Sequence, residues 1–270
     1  MDLFLLRIGV LLVGSFLGGL QDAKSGIISD KITYAMIGLG IIFNLAEFNW
    51  IGLAIGAIVF GIGYLIYYFG KIGGGDVKLF AGIALLMPFF SGKIFVLSVL
   101  FVSAVLAVIF YAVFFTAKYA RKGINLGENR QGIRKSVFFG IIFFAYFYLL
   151  ARLGNIQAGT IIFLGTGFAC GLVFLALEKG IRKNFFLKKI NLSELEEDEV
   201  IAAEFLGQKA RETLKLAGKG IIGEKEKEKL EKAGIKEILV YRNLPPFAPF
   251  IFIAIITVLA FPEMAGFLFI

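Results

Sequence analysis

Two aspartates, Asp22 and Asp76, lie in surroundings that suit catalysis. Asp22 follows the apolar stretch at the start of the chain, in "QDAKSGIISD", and Asp76 follows three glycines in "GKIGGGDVKLF". The chain has no histidine and a single cysteine, Cys170, which excludes a histidine base, a histidine metal site and an intrachain disulfide. Any catalysis therefore has to use carboxylates, hydroxyls or lysines.

The elements that position these aspartates are predicted to be membrane helices. Hydrophobic residues make up 59% of the chain, and the charged residues gather in short stretches between long apolar runs. We predict an all-α polytopic membrane protein, a bundle of about eight transmembrane helices with a small α+β insert before the last helix. The span at 137–151 is short for a hydrocarbon core that needs about 20 residues, so it must borrow flanking residues or form a tight hairpin. The predicted spans are 3–20, 32–48, 51–69, 77–91, 94–117, 137–151, 156–177 and 247–269.

Basic residues in the short loops predict the orientation of the bundle. One set of alternate loops is rich in lysine and arginine, whereas the other side has only Arg7, Lys93 and Arg152. The rich side should face the cytoplasm, which leaves both termini outside, and Arg7 is expected to extend outward to the lipid headgroups. The net charge of +8 then predicts a lipid bilayer and not nucleic acid as the partner of these residues. The basic loops are 21–31, 70–78 and 118–135, with Lys24, Lys31, Lys71, Lys78, Lys118, Arg121, Lys122, Arg130, Arg134 and Lys135.

The composition changes abruptly after the seventh predicted span. We predict a helical bundle over 1–178, a cytoplasmic α+β insert over 179–245 and a final transmembrane helix over 246–270. Within the insert, the charged segment 224–233 is typical of a helix ended by Gly234, and "KEILVY" is typical of a strand.

On this topology Asp22 and Asp76 lie at the same face of the membrane. Two carboxylates within hydrogen-bond distance cannot both ionise readily, so they share a proton. One carboxylate then activates a water as general base, while the protonated one polarises a scissile carbonyl. This chemistry requires no histidine, cysteine or metal ion.

Gly73, Gly74 and Gly75 are expected to adopt positive φ and to leave room for an extended peptide against Asp76. A structural explanation stays open, in which the glycines form a flexible turn and Asp76 is the N-cap of the fourth helix. Asp22 is equally consistent with a helix-end carboxylate beside Lys24.

Three further charged residues are candidates for support of the pair. Lys78 is placed to influence the charge of the pair or to contact substrate, and the positive-inside rule explains it equally well. Lys24 and Asp30 are candidates for orienting the first motif, and both also fit simple headgroup-level charges.

Both motifs resemble those of archaeal prepilin peptidases, including preflagellin peptidases, which are related to bacterial type IV prepilin peptidases. Their Gly-x-Gly-Asp motif is matched by "GGGD", which ends at Asp76, and their first aspartate motif is matched by "DAKSGIISD". Ser29 stands where the family usually has proline. The segment "RNLPPFAPFI", which enters the last helix, also resembles the archaeal members. The matching positions of the first motif are Asp22, Lys24, Ile28 and Asp30.

The resemblance implies a membrane aspartic endopeptidase with Asp22 and Asp76 as the catalytic pair and with no cofactor. Its partners would be prepilin-like or preflagellin precursors, cut after a short basic leader on the cytoplasmic side. Bacterial members often add a cysteine-rich loop and N-methylate the product. This chain has neither those cysteines nor a recognisable motif for a methyl donor, so we expect proteolysis without methylation. The sequence defines no oligomeric state.

Two alternatives stay open. A presenilin-like intramembrane protease also uses a Gly-x-Gly-Asp loop, although that class usually has tyrosine before its first aspartate, where this chain has Gln21, and Pro-Ala-Leu near its last helix. A transporter or assembly scaffold would use the glycine loop as a re-entrant gate. Transporters usually show two related halves, and this chain shows no second copy of the loop.

Overall fold

The computed structural model of the protein describes residues 3–70, 72–153, 158–192, 202, 205–206, 224–235, 237–242 and 244–262, and the fold consists almost entirely of helices. A five-residue π-helical turn, Arg182–Phe186, follows α7. The elements in chain order are α1 (Leu3–Ser25), α2 (Asp30–Ala46), α3 (Trp50–Tyr68), α4 (Gly74–Leu86), β1 (Phe89–Phe90), β2 (Lys93–Ile94), α5 (Phe95–Lys122), α6 (Leu126–Leu153), α7 (Ala158–Ile181), β3 (Leu187–Asn191), α8 (Glu224–Lys232), β4 (Glu237–Tyr241) and α9 (Ala248–Ala260).

Within the described residues, five helices are long and apolar enough to cross a membrane: α1, α3, α5, α6 and α7. Helix α2 has 17 residues, and α4 has 13. Thirteen helical residues extend about 20 Å, whereas the hydrocarbon core is about 30 Å thick. The protein is therefore a multi-pass membrane protein, and the described helices do not support the predicted count of eight full spans.

Helix α4 is an internal helix and not the span predicted at 77–91. It begins at Gly74 and ends at Leu86, and all of its side chains from Val77 onward are buried except Lys78. Helices α1, α2, α3 and α5 pack around it. A helix that is apolar on all sides is buried by protein. Residues 87–91 leave the helix and lead into the short β1–β2 hairpin.

Small residues let the neighbouring helices approach α4 closely. A Cβ added to Gly40 of α2 would lie 2.6 Å from the Leu85 Cβ, and one added to Gly56 of α3 would lie 2.4 Å from the Leu85 side chain. Close approach through glycine is a common way of packing helices where lipid surrounds the bundle. The glycines of α2 and α3 therefore help to set the position of α4.

The sequence predicted that Arg7 extends outward to the lipid headgroups, and this prediction is wrong. Its side chain is buried, and its guanidinium donates to the carbonyls of Leu85 at 3.3 Å and Leu86 at 2.9 Å. It also forms an ion pair with Glu47 at 2.8 Å. The last carbonyls of a helix have no helical partner, so the end of α4 supplies acceptors that make burial of the arginine tolerable.

Helices α5 and α6 are longer than predicted. Three residues separate them, so the predicted loop 118–135 is largely helical, and the short span 137–151 lies in the C-terminal part of a 28-residue helix. The buried Asn129 accounts for the difference. Its amide donates to the Tyr119 hydroxyl at 3.1 Å and accepts the N–H of Gly180 at 3.0 Å. Polar residues that satisfy one another let a helix continue through a segment that looks like a loop.

The helix and the strand predicted within the insert are both present. Helix α8 ends at Lys232, Gly234 follows with a φ of 72°, and β4 pairs antiparallel with β3. Apolar side chains of these elements form a small core of their own. Most of the predicted insert between 193 and 223 lies outside the described residues, as does Lys71.

Candidate active site

Asp22 lies in the last turn of α1. Gly26, with a φ of 69°, ends that helix, and its N–H donates to the carbonyl of Asp22 at 2.8 Å. The side chain of Asp22 is buried, and its Oδ2 accepts the backbone N–H of Ala248 at 2.8 Å. Ala248 is the first residue of α9, and the N-terminus of a helix stabilises negative charge. The fold thus supplies Asp22 with a donor from a helix far along the chain.

The turn after α1 is closed by side-chain hydrogen bonds. The Gln21 Oε1 accepts the N–H of Ser29 at 2.9 Å, and the Ser29 hydroxyl caps α2 by accepting the N–H of Lys31 at 3.3 Å. A proline, which the family usually has at this position, would lack the N–H that Gln21 binds. Ser29 therefore stabilises the turn by a different bond and places Asp30 at the start of α2.

Asp76 lies in the first turn of α4, and its carboxylate accepts the N–H of Gly73. Gly73 is the N-cap, so the suggestion that Asp76 caps the helix is wrong; its side chain reaches back to the cap instead. The Oδ1 of Asp76 is buried and has no hydrogen-bond partner among the described residues. Such an atom is available for a water or a substrate.

The three glycines before Asp76 do not adopt positive φ, contrary to the prediction. Gly73 has a φ of −72°, Gly74 and Gly75 are helical, and the positive φ of this segment belongs to Gly70 at 67°. Their role is close approach. A Cβ on Gly75 would lie 3.1 Å from the Cβ of Ile28, and one on Gly73 would lie 3.2 Å from the Oδ2 of Asp76.

Asp22 and Asp76 line the same cavity, whose volume is about 510 Å³; we call it the aspartate cavity. Five of the six other residues predicted from the sequence line this cavity as well, and Lys24 is the exception. Lys24 lines a neighbouring cavity of about 1030 Å³, which we call the basic cavity and which shares Asp22 with the first. The predicted residues that line the aspartate cavity beside the two aspartates are Gly73, Gly74, Gly75, Asp30 and Lys78. The structure also places Ile28, Tyr67 and Leu244 in its wall.

Burial and, to a smaller extent, the nearby Asp22 carboxylate raise the pKa of Asp76 to about 7, against the opposing effect of the Gly73 N–H. With a pKa of about 7, Asp76 is partly protonated near neutral pH, whereas Asp22 accepts a hydrogen bond from the N-terminus of α9. The structure gives the two carboxylates different environments, as an acid and a base require.

Lys78 is paired with Asp30 and not directed at the aspartate pair. Its ammonium donates to the Asp30 carboxylate at 2.5 Å and lies 5.0 Å from the centre of the Tyr34 ring. The hydrogen bond to Asp30 raises the pKa of Lys78. This ion pair joins the start of α2 to α4. It lies at the rim of the cavity, since the Asp30 side chain is largely exposed.

Sequence reasoning missed the segment 244–248, which we call the strap. Leu244 lines both cavities, Ala248 donates to Asp22, and the carbonyl of Pro246 accepts the hydroxyl of Tyr111 at 2.6 Å. The resemblance of "RNLPPFAPFI" to the archaeal peptidases was the available signal. It did not indicate contact with Asp22, because no local pattern joins residues so far apart in the chain.

The fold and the site define a multi-pass membrane protein with two unlike carboxylates in one cavity. Among the described residues there is no cluster of three His, Cys, Asp or Glu side chains of the kind that holds a metal ion. Residues 9–120, which include both aspartates, match the type IV leader peptidase family. The resemblance to prepilin peptidases is therefore confirmed over this part of the chain.

One curated relative is similar to part of this chain. A prepilin peptidase, EppA, of Methanothermobacter thermautotrophicus is 36% identical over 93 residues, which are 32% of this chain and 24% of the relative. The match thus spans about a quarter of the length of that relative. No solved structure is significantly similar to the chain.

Proposed function

We propose that the protein is a membrane aspartic endopeptidase that removes the leader of prepilin-like or preflagellin precursors at the cytoplasmic face of the membrane. The observation that carries the proposal is that Asp22 and Asp76 line one cavity although 53 residues and two helices separate them in the chain. The match of residues 9–120 to the type IV leader peptidase family supports it independently.

The different environments of the two carboxylates support a different role for each. Asp22, which accepts the Ala248 N–H, is the ionised general base that takes a proton from water. Asp76, which has a buried oxygen without a partner, is the protonated acid that donates to the carbonyl oxygen of the scissile bond. As the tetrahedral intermediate collapses, Asp22 gives its proton to the leaving amine, and a hydroxyl of the intermediate returns a proton to Asp76. No cofactor enters the reaction.

The glycines favour a peptide substrate. Gly73, Gly74 and Gly75 line the cavity beside Asp76 and present no side chain, so an extended backbone has room to lie against the carboxylate. Tyr67 and Leu244 supply apolar surface at the same cavity. The basic loops of the sequence support a cytoplasmic position for this end of the bundle.

The test is co-expression with candidate precursors in membranes, followed by N-terminal mapping of the product. Wild type should release a leader, whereas Asp22→Asn and Asp76→Asn, which keep the side-chain shape, should abolish cleavage. Glu178→Gln is the control, because Glu178 of α7 pairs with Arg182 of the following turn and lines neither cavity. Retained cleavage in either aspartate variant would refute the assignment.

The position of the cut separates the proposal from its alternatives. A cut before the apolar helix of the precursor supports a leader peptidase, and a cut within that helix supports an intramembrane protease. Intact precursor together with substrate-dependent ion flux in proteoliposomes would support a transporter. Precursors of pilins and of flagellins tested side by side would then define the substrate class.

A further inference from the structure

The strap is held by two side chains that come from different helices. Tyr111 of α5 donates its hydroxyl to the carbonyl of Pro246 at 2.6 Å, and Asp22 of α1 accepts the N–H of Ala248 at 2.8 Å. The two bonded groups are only two residues apart in the strap. A change in either bond therefore alters the position of the other.

Two prolines limit the backbone hydrogen bonds that the strap can donate. Pro245 and Pro246 have no N–H, so neither residue can donate a backbone hydrogen bond. The proline rings limit φ, but they leave the carbonyl of Pro246 dependent on an outside donor, which Tyr111 supplies. The placement of the following N–H group thus depends on a side-chain contact.

Packing holds the start of α9 against three helices. The Phe247 ring lies 6.2 Å from that of Phe80 on α4, and the Phe250 ring lies 5.2 Å from that of Tyr111. On the α1 side, a Cβ on Gly19 would lie 3.3 Å from the Cα of Pro249. These contacts are apolar and set distances between elements, whereas the two hydrogen bonds set the direction of the Ala248 N–H.

We propose that Tyr111 is a positioning residue for Asp22, acting through the strap. It holds the Pro246 carbonyl, which fixes the Ala248 N–H, which in turn fixes the orientation of the Asp22 carboxylate toward the aspartate cavity. Tyr111 lines the basic cavity, which also contains Asp22, and it does not line the aspartate cavity. This inference rests on the proposed peptidase function and names a residue outside both aspartate motifs.

The chain offers a closely matched control in Tyr119, two turns further along α5. Its side chain is buried, and its hydroxyl bonds to Asn125 and Asn129, away from the strap. Tyr111→Phe and Tyr119→Phe each remove one hydroxyl from the same helix. Both variants lose a hydrogen bond and some stability, but only the first loosens the contact with Asp22.

The test measures leader cleavage by wild type, Tyr111→Phe, Tyr119→Phe and Asp22→Asn in one detergent assay, at a temperature where all are folded. Tyr111→Phe should lower kcat about fivefold with an unchanged KM, since one neutral hydrogen bond is lost. Tyr119→Phe should retain the wild-type kcat. Equal kcat values for wild type and Tyr111→Phe would overturn the proposal while the aspartate variant still tests the function itself.

A second measurement does not depend on cleavage. Hydrogen exchange of the peptide that contains Ala248 should be faster in Tyr111→Phe than in wild type and unchanged in Tyr119→Phe, because the strap opens more often when Pro246 is released. Unchanged exchange in Tyr111→Phe would overturn the coupling through the strap, even if the wild-type protein cleaves no precursor.

Discussion

The guanidinium of Arg7 donates to the carbonyl of Leu86 at 2.9 Å, which joins the start of α1 to the end of α4. The same two helices carry Asp22 and Asp76 at their other ends. The helices run antiparallel, so a bond at one end sets their register and thereby the relation of the two carboxylates about 20 Å away. Arg7 thus contributes to the site without touching it.

Replacement of Arg7 by methionine should destabilise the bundle. Arg7→Met keeps the apolar stem but leaves the carbonyl of Leu86 without its donor, and we expect the free energy of unfolding to fall by about 1–3 kcal/mol. Unfolding in a detergent titration measures the change. Glu47→Gln is the control, because the Glu47 side chain is 44% exposed and a pair of this kind contributes about 0–1 kcal/mol. Equal losses in the two variants would contradict the role given to the buried carbonyl contacts.

Leader cleavage should fall as the pH rises through about 7, because the pKa of Asp76 lies near that value and the acid form is the proposed proton donor. The initial rate measured at several pH values from about 5 to about 9 reports this loss. As a control, binding of an uncleavable precursor involves no proton transfer, so its affinity should change little across the same pH range. An initial cleavage rate that keeps rising above about pH 8 would argue against Asp76 as the acid.

The same group should make stability depend on pH. The pKa of Asp76 in the folded protein is about 7, above its ordinary value of 3.8, so the folded state holds the proton more tightly. This contribution to stability is complete below the ordinary value and is lost as the pH rises through about 7. Asp76→Asn cannot ionise and should therefore lose less thermal stability than wild type on the change from acidic to alkaline pH. Melting temperatures that fall equally with pH in the two proteins would contradict the raised pKa of Asp76.

A methyl group at Gly40 should disturb the contact between α2 and α4. The added Cβ would lie 2.6 Å from the Leu85 Cβ and 3.1 Å from the backbone N of Leu86, so the helices must separate, and we expect Gly40→Ala to cost about 1–3 kcal/mol. Gly38→Ala is the control on the same helix, since nothing lies within 4 Å of its added Cβ. That variant should be neutral or slightly stabilising, because alanine favours a helix. Thermal unfolding of both variants decides whether the spacing of α2 and α4 is as close as described.

Alanine at Gly75 should lower cleavage more than alanine at Gly74. Both residues are helical, so neither change strains the backbone. A Cβ on Gly75 would lie 3.1 Å from Ile28, whereas one on Gly74 would make an ordinary contact of 3.4 Å with Tyr67. Gly75→Ala therefore pushes Ile28 and the turn that follows the Asp22 end of α1 away from α4. Cleavage rates of the two variants at matched protein levels give the comparison, and a larger loss in Gly74→Ala would contradict the close-approach role of Gly75.

Local chemical patterns were enough to predict the membrane class, the aspartate motifs and the secondary structure near Gly234. Apolar runs identify membrane helices because lipid offers no hydrogen-bond partner for backbone groups. The glycine triplet before Asp76 is a local motif that the sequence shows directly. The same patterns misplaced Arg7 at the surface and made α4 a span. A rule that counts charge and length cannot register a partner such as Leu86, which lies 79 residues away.

The sequence by itself determined which residues are able to do chemistry: without histidine and with one cysteine, the carboxylates of Asp22 and Asp76 are the groups its motifs single out. Only the tertiary structure decided how they differ. The buried α4 raises the proton affinity of Asp76, and the strap brings the N–H of Ala248 to Asp22. Both effects arise from burial and from contacts between distant segments, and the free energy of a charge depends on those surroundings and not on its neighbours in sequence.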